Sequence, residues 1–171
     1  LKKTNFEDRE YKLKEKLFTL NLLAEEYFHF VLTKHAFGKK ALEYLKNRGI
    51  SEKLINTFKL GYAPASWDSL MKFLKKRGFS EPDLVEAGLV VKTDRGTVYD
   101  RFRSRLIFPL KDSRGNVLGF SGRILTGEKE AKYVNTSETA IYHKRQTLFG
   151  IDITKDAIKE KGGVVIVEGE F

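Results

Sequence analysis

Three arginines alternate in the run Asp100-Arg101-Phe102-Arg103-Ser104-Arg105. If this run enters a strand, the period of two puts Arg101, Arg103 and Arg105 on one face, about 6–7 Å apart successively. Guanidiniums so arranged repel one another unless solvent or an anion answers them. A phosphodiester backbone suits them, because the planar fork of donors matches phosphate oxygens. Local carboxylates such as Asp94, Asp100 or Asp112 could also answer them, and spacing alone leaves both readings open.

Three further groups carry possible chemistry. In Gly119-Phe120-Ser121-Gly122-Arg123, glycines inside a strand pattern mark a bulge or a close backbone approach, with Arg123 beside them as a ligand-facing cation or a plain surface arginine. Lys132-Tyr133-Val134-Asn135-Thr136-Ser137-Glu138-Thr139, followed by Ile141-Tyr142-His143-Lys144, is dense in donors for phosphate, ribose and base edges. The same residues also read as a turn into a capped helix. In Val167-Glu168-Gly169-Glu170, a carboxylate at the carboxyl end of a parallel strand would lie where open α/β sheets place ligands. Two such carboxylates could share a hard cation such as Mg²⁺, and a merely polar strand end is the plainer alternative. His29 and His35 form no metal-ligand spacing with each other or with a carboxylate.

The elements that must position these groups change halfway along the chain. Leu13, Leu17, Leu20, Ala24, Tyr27, Phe28 and Val31 recur at helical spacing and predict one long amphipathic helix. Gly38–Arg48 predicts a second, stopped by Gly49, and Ser51 can cap a short third that ends before Gly61. Trp67–Arg77 predicts a fourth, and Ser80-Glu81-Pro82 opens a fifth that ends at Gly88. From Leu89 the pattern turns to strands: 89–91, 98–99, 106–110, 117–125 and 132–135, with Asp112-Ser113-Arg114-Gly115 as a hairpin turn. A helix over 152–161 then leads through Gly162-Gly163 into Val164–Val167, which is continuously apolar, as a strand covered on both faces of a parallel sheet would be. The expected class is α+β: a helical first half, a mixed or antiparallel sheet, and the opening of an α/β unit.

The 171 residues hold 32 basic and 23 acidic side chains, a net charge of +9, and no cysteine. Hydrophobic residues at 41% can build a core, which excludes intrinsic disorder. The missing cysteines exclude disulfides, zinc–thiolate sites and cysteine nucleophiles within these residues. No run approaches a membrane span, and the first residues lack a secretory signal, so a soluble, cytoplasmic protein is expected. Residues 92–145 carry 12 basic and 6 acidic side chains, against 17 and 12 before them and 3 and 5 after. A basic middle before an acidic end suggests a polyanion track leading toward a carboxylate site. A Lys/Glu-rich, thermophile-like surface accounts for the N-terminal third. Leu1 in place of Met, and an end on an apolar run, read as a piece of a longer protein.

Several motifs occur in order: Tyr44-Leu45-Lys46-Asn47-Arg48-Gly49-Ile50, Gly61-Tyr62-Ala63-Pro64 with Trp67-Asp68, and Tyr99-Asp100-Arg101-Phe102-Arg103-Ser104-Arg105-Leu106-Ile107-Phe108-Pro109. Gly119–Arg123, Lys132–Asn135, Ile141–Lys144, Leu148-Phe149-Gly150 and Val167-Glu168-Gly169 follow. With these motifs the chain, over roughly residues 35–171, resembles the RNA polymerase domain of bacterial DnaG-type primases. The resemblance implies DNA-templated synthesis of RNA primers from NTPs, with residues 1–150 as a basic N-terminal subdomain and 151–171 as the truncated start of a Toprim subdomain. It matches Glu168 to the Toprim glutamate, a ligand for Mg²⁺ (or Mn²⁺) and possible acid/base group. Arg48, Arg123, Lys132 and Lys144 match a basic track for template and nucleotide. Arg101 and Arg103 fall in a motif near the incoming nucleotide or template, and Tyr133 and Asn135 in the nucleotide-proximal motif. The implied partners are single-stranded DNA, NTPs, the replicative helicase and single-strand binding protein, with no membrane.

Thr136-Ser137 departs from the family's usual Ser-Pro, and Arg145 adds a charge beside Lys144. The family's further Toprim carboxylates and its zinc-binding and helicase-binding modules have no counterpart in these residues. One carboxylate cannot fix two cations, so these residues alone are expected to bind without turnover. The alternatives are another Toprim enzyme (a topoisomerase or nuclease) and a non-catalytic single-stranded DNA binding module in which Phe102, Phe108, Phe120, Tyr133 and Tyr142 supply stacking surfaces.

Overall fold

The computed structural model describes residues 5–125 and 131–169. Helix α1 (Asn5–Lys34) is followed by a 3-10 turn (Ala36–Gly38), α2 (Lys39–Asn47), α3 (Glu52–Thr57), strand β1 (Gly61–Ala63), α4 (Ser69–Lys75) and α5 (Glu81–Glu86). Strands β2 (Val90–Lys92), β3 (Val98–Asp100), β4 (Arg105–Lys111), β5 (Val117–Ile124) and β6 (Tyr133–Asn135) follow, then a second 3-10 turn (Lys144–Gln146) and α6 (Ile151–Lys161). The helical half and the antiparallel strands agree with the sequence. Ser51 Oγ accepts the Leu54 N–H and starts α3, and Ser80 with Asp83 forms a reciprocal capping box on α5.

Among the described residues one sheet has the order β1-β4-β5-β6, and β2 pairs with β3 in a second. Every pairing is antiparallel. Because successive side chains alternate across a strand, the larger sheet has two distinct faces. On one, Ala63, Ile107 and Phe120 pack with Leu17, Leu20, Ala24 and Phe28 of α1. On the other, Leu106 and Phe108 pack with Leu32, Ala41, Leu45 and Ile55 from α1, α2 and α3. Each fully buried Leu or Phe contributes about 1.5–3 kcal/mol, so the two clusters hold the sheet from both sides. At Gly61 a Cβ would lie 2.5 Å from the Phe28 Cβ, and the missing side chain lets α1 cross directly over β1.

Two expectations from the sequence do not hold. Val164–Val167 forms no strand: these residues have no regular secondary structure, find no ladder partner among the described residues, and stand 54–88% exposed. An apolar run becomes a buried strand only where neighbouring strands accept its backbone groups, and none is available here. The arginine run is not one strand face either. β4 begins only at Arg105, and Ser104 before it has a positive φ of 52°, which turns the chain and breaks the alternation.

The turn is held by Asp100. Its buried carboxylate accepts the N–H groups of Leu70 (2.8 Å) and Met71 (3.0 Å) and so caps α4 from 30 residues downstream, while Asp68 at the N-cap position makes no side-chain cap. Burial holds its acid above the ordinary value, outweighing the two N–H bonds that act in the opposite direction. Asp100 therefore serves the fold rather than pairing with its neighbouring arginines.

Candidate nucleic-acid interface

The second face of the large sheet changes character from β4 to β6. Arg123 on β5 stands opposite Tyr133 on β6, and Ser121 opposite Asn135, so these four side chains share the face that carries Leu106 and Phe108 further in. The two glycines of the Gly119–Arg123 motif serve opposite faces, Gly122 the face packed on α1 and Gly119 the face of Ser121 and Arg123. At Gly122 a Cβ would come within 2.6 Å of the Phe102 ring, and at Gly119 within 3.0 Å of Thr136. Gly122 therefore lets the strand press against Phe102 on one face while Arg123 occupies the other.

Arg123 lies between two tyrosines, 5.9 Å from the ring centre of Tyr44 on α2 and 5.9 Å from that of Tyr133. Tyr44 also carries Arg48, whose guanidinium is 5.7 Å from the ring and donates from Nη1 to the Tyr44 hydroxyl at 2.9 Å. Lys132 lies 6.0 Å from the Tyr133 ring centre. Arg48, Tyr44, Arg123, Tyr133 and Lys132 thus form one row in which cations alternate with rings. The rings hold the cations side by side through their negative faces, an arrangement that suits a polyanion laid along the row. Arg48 and Lys132 are exposed and Arg123 half-buried. The sequence alone does not mark Tyr44 as a site residue. Its position four residues before Arg48 on a helix was the available signal.

The other predicted residues lie in separate settings. Arg103 stacks 4.3 Å from the ring centre of exposed Trp67 and 4.8 Å from that of Tyr99, and donates to the Asp100 carbonyl. Arg101 donates from Nε to the Gly88 carbonyl (2.8 Å) and from Nη2 to Ser137 Oγ (3.2 Å), clamping the loop after β6 to the end of α5. Burial pulls its guanidinium below the ordinary value. Arg105, only 5% exposed, donates from Nη1 to the carbonyls of Gly122, Ala131 and Lys132 at 3.2, 2.9 and 3.4 Å. It is an internal strut between β4 and the approach to β6, on the sheet face opposite Arg123.

Lys144 sits on the exposed second 3-10 turn. Glu138 shapes that turn: one carboxylate oxygen accepts the Lys144 N–H at 2.9 Å and the other meets His143 Nδ1 at 2.9 Å. These bonds hold the Glu138 acid below its ordinary value, the Lys144 N–H contributing most. Asn135, at the end of β6, has a buried Oδ1 with no hydrogen-bond partner among the described residues, an acceptor aimed along the same face as Arg123.

Glu168 is exposed in the segment after α6, and Glu170 lies outside the described residues. Among the described residues no three His, Asp or Glu side chains converge on a point where a metal ion could sit. The donor set described here does not by itself fit Mg²⁺, which needs several oxygen ligands in octahedral array. No helix among the described residues is long and apolar enough to cross a membrane.

Residues 27–155 match the family model of the DNA primase catalytic core, N-terminal domain. The chain is 42% identical over 159 residues to the DNA primase of Deinococcus radiodurans, covering 92% of this chain and 27% of that protein. It therefore spans about a quarter of the length of that relative. The RNA polymerase domain of Mycobacterium tuberculosis primase DnaG is similar in structure, with a TM-score of 0.84 at 37% identity over 91% of this chain and 50% of that one. A DnaG primase catalytic domain bound to single-stranded DNA gives 0.77 at 35% identity, over 86% and 47%.

Proposed function

The chain belongs to the DNA primase catalytic-core family, and from that premise we propose that it is the template- and nucleotide-handling part of a bacterial primase. The whole protein would make RNA primers on single-stranded DNA by metal-dependent nucleotidyl transfer from NTPs. Family membership disfavours a topoisomerase, a nuclease or a purely binding module. Residues 1–150 would form the basic N-terminal subdomain, and 151–171, entered through the left-handed Gly150 at φ 80°, the start of the Toprim subdomain. Mg²⁺ or Mn²⁺ would be held by Glu168 only together with carboxylates supplied beyond the described residues. The metal would supply charge stabilisation at the transferring phosphate. The helicase and single-strand binding protein would meet the intact protein in the cytoplasm.

The observation that carries the reading is the row Arg48–Tyr44–Arg123–Tyr133–Lys132. Cations interleaved with rings on a sheet face suit a single strand, whose phosphates take the cations while its bases stack. Arg103 on Trp67 and Lys144 on its turn would extend that contact, with Asn135 offering an acceptor to a nucleotide. Arg101 would act by fixing the loop that carries Ser137 and Glu138. The 171 residues alone would bind without turnover.

Fluorescence anisotropy on labelled single-stranded DNA across a salt series tests this. Changing Arg48, Arg123, Lys132 and Lys144 to Ala should flatten the log–log slope by about 0.7 for each phosphate no longer neutralised. Superimposable curves, at unchanged circular dichroism, would remove the basis of the proposal.

A further inference from the structure

A second aromatic surface lies away from this row, at the end of α1. Phe30 is 52% and Phe37 67% exposed, with His35 between them: ring centres lie 6.3 Å apart for Phe30–His35 and 4.7 Å for His35–Phe37. Large exposed rings at adjacent positions are uncommon on a monomer's surface unless something covers them. Here they are also held in place. His35 Nδ1 accepts the Phe37 N–H at 3.3 Å and caps the 3-10 turn. Gly38 lets that turn press on α1, since a Cβ there would collide with the Val31 carbonyl.

The rings border a shallow groove of about 180 Å³. Phe73, Pro64 and Tyr27 also line it. Phe73 is itself held, its ring centre 4.8 Å from that of Tyr27 and 3.6 Å from the Arg77 guanidinium. Residues 27–42 hold Lys34, Lys39 and Lys40 and no carboxylate, with Glu26 one helical turn before Phe30 and Glu43 four residues after Lys39 at the borders of this basic stretch. All three lysines are exposed. Pro64 and Ser69, which also line the groove, flank Trp67, the ring on which Arg103 lies.

We propose that this groove is a second contact for single-stranded DNA, in which one or two bases stack on Phe30, His35 and Phe37 while Lys34, Lys39 and Lys40 meet the adjacent phosphates. Rigid rings interleaved with exposed cations are what sequence-tolerant single-strand contacts require. An acidic peptide would use the cations but not two rings exposed side by side. Pro64 and Ser69 of its lining lie three and two residues from Trp67 in the chain, which brings the groove toward the Arg103 contact. The proposal rests on the reading that this chain handles single strands, and adds a path for the strand beyond the central row.

Anisotropy with strands of increasing length tests it, comparing the wild type with Phe30→Ala/Phe37→Ala and with Lys34→Ala/Lys39→Ala/Lys40→Ala. Short strands that fill only the central row should bind both variants as they bind the wild type. Beyond a threshold length, the aromatic variant should lose about tenfold in affinity at unchanged salt slope, and the lysine variant should flatten the slope. Phe37→Trp should restore affinity, and 2-aminopurine walked along the strand should be quenched at one or two positions and released by Phe37→Ala. These side chains are exposed, so circular dichroism should stay that of the wild type. Equal affinity of wild type and aromatic variant at every length would overturn the inference. So would binding of RNA but not DNA at the distal positions, or an acidic peptide that occupies the groove without competing with the strand. An Arg48/Arg123/Lys132/Lys144 variant run alongside separates this failure from failure of the central row, because it lowers binding at all lengths.

Discussion

Arg105→Met separates the arginine that builds the sheet from those that face a ligand. In the folded protein Arg105 Nη1 donates at 2.9 and 3.2 Å to the carbonyls of Ala131 and Gly122, and more weakly at 3.4 Å to that of Lys132. Hydrogen bonds from a charged donor contribute about 1.5–3 kcal/mol each. The two shorter bonds, taken at the lower end, total about 3 kcal/mol. Methionine replaces the aliphatic stem and fills most of the volume, so cavity formation adds little. A loss of about 3 kcal/mol is a large share of the 5–15 kcal/mol that holds a domain together, yet leaves a folded majority to measure. Urea unfolding followed by circular dichroism should show the midpoint falling at unchanged m-value. Anisotropy on single-stranded DNA, below the unfolding range, should give the wild-type salt slope. A variant within 1 kcal/mol of the wild type whose slope is flatter by about 0.7 would refute the reasoning and return Arg105 to a phosphate-facing role.

Other perturbations probe the frame around the site. Lys16 bonds Asp83 at 2.7 Å and joins α1 to α5, and with Ser80 holds the Asp83 acid down at about 2. A depressed carboxylate stabilises the fold above its unfolded pKa near 4, and that contribution is lost as pH falls through about 2. The urea-midpoint gap between wild type and Asp83→Asn should therefore be full at pH 6 and close between pH 4 and 2. A gap that is constant or grows over that range counts against the assignment. Gly61→Ala places a Cβ 2.5 Å from that of Phe28, and overpacking of this kind costs about 1–3 kcal/mol. Its thermal midpoint should fall by several degrees, and an unchanged midpoint would mean that α1 moves aside freely.

Much of the frame was legible because its signals are local. Gly49 and Gly78, at φ of 80° and 90°, end helices where the chain must take a left-handed turn. Ser51 and Ser80 announce the helices that follow them. β1 escaped notice, since three residues, Gly61-Tyr62-Ala63, show no alternation and become a strand only by pairing with β4. The arginine run misled for the opposite reason. Its spacing is that of a strand, but the tertiary demand of Asp100 on α4 and the left-handed Ser104 direct its three cations to three different surroundings. Arg48, Arg123, Lys132 and Tyr133 were readable as candidates, but their assembly into one row depends on Tyr44, contributed by α2 from across the fold.

The distant cap on α4 also sets an order of events in time. A helix of seven residues is far below the length at which an isolated segment holds its shape in water. Its first amide groups wait for a carboxylate that enters the chain thirty residues later. α4 should therefore remain a fluctuating coil until β3 docks, and should be among the last elements to become protected from hydrogen exchange during refolding. The same dependence runs in reverse: the segment carrying Arg101 and Arg103 cannot take its native course until α4 offers its amides. The cation that stacks on Trp67 and the helix that follows Trp67 would come into being in a single cooperative step.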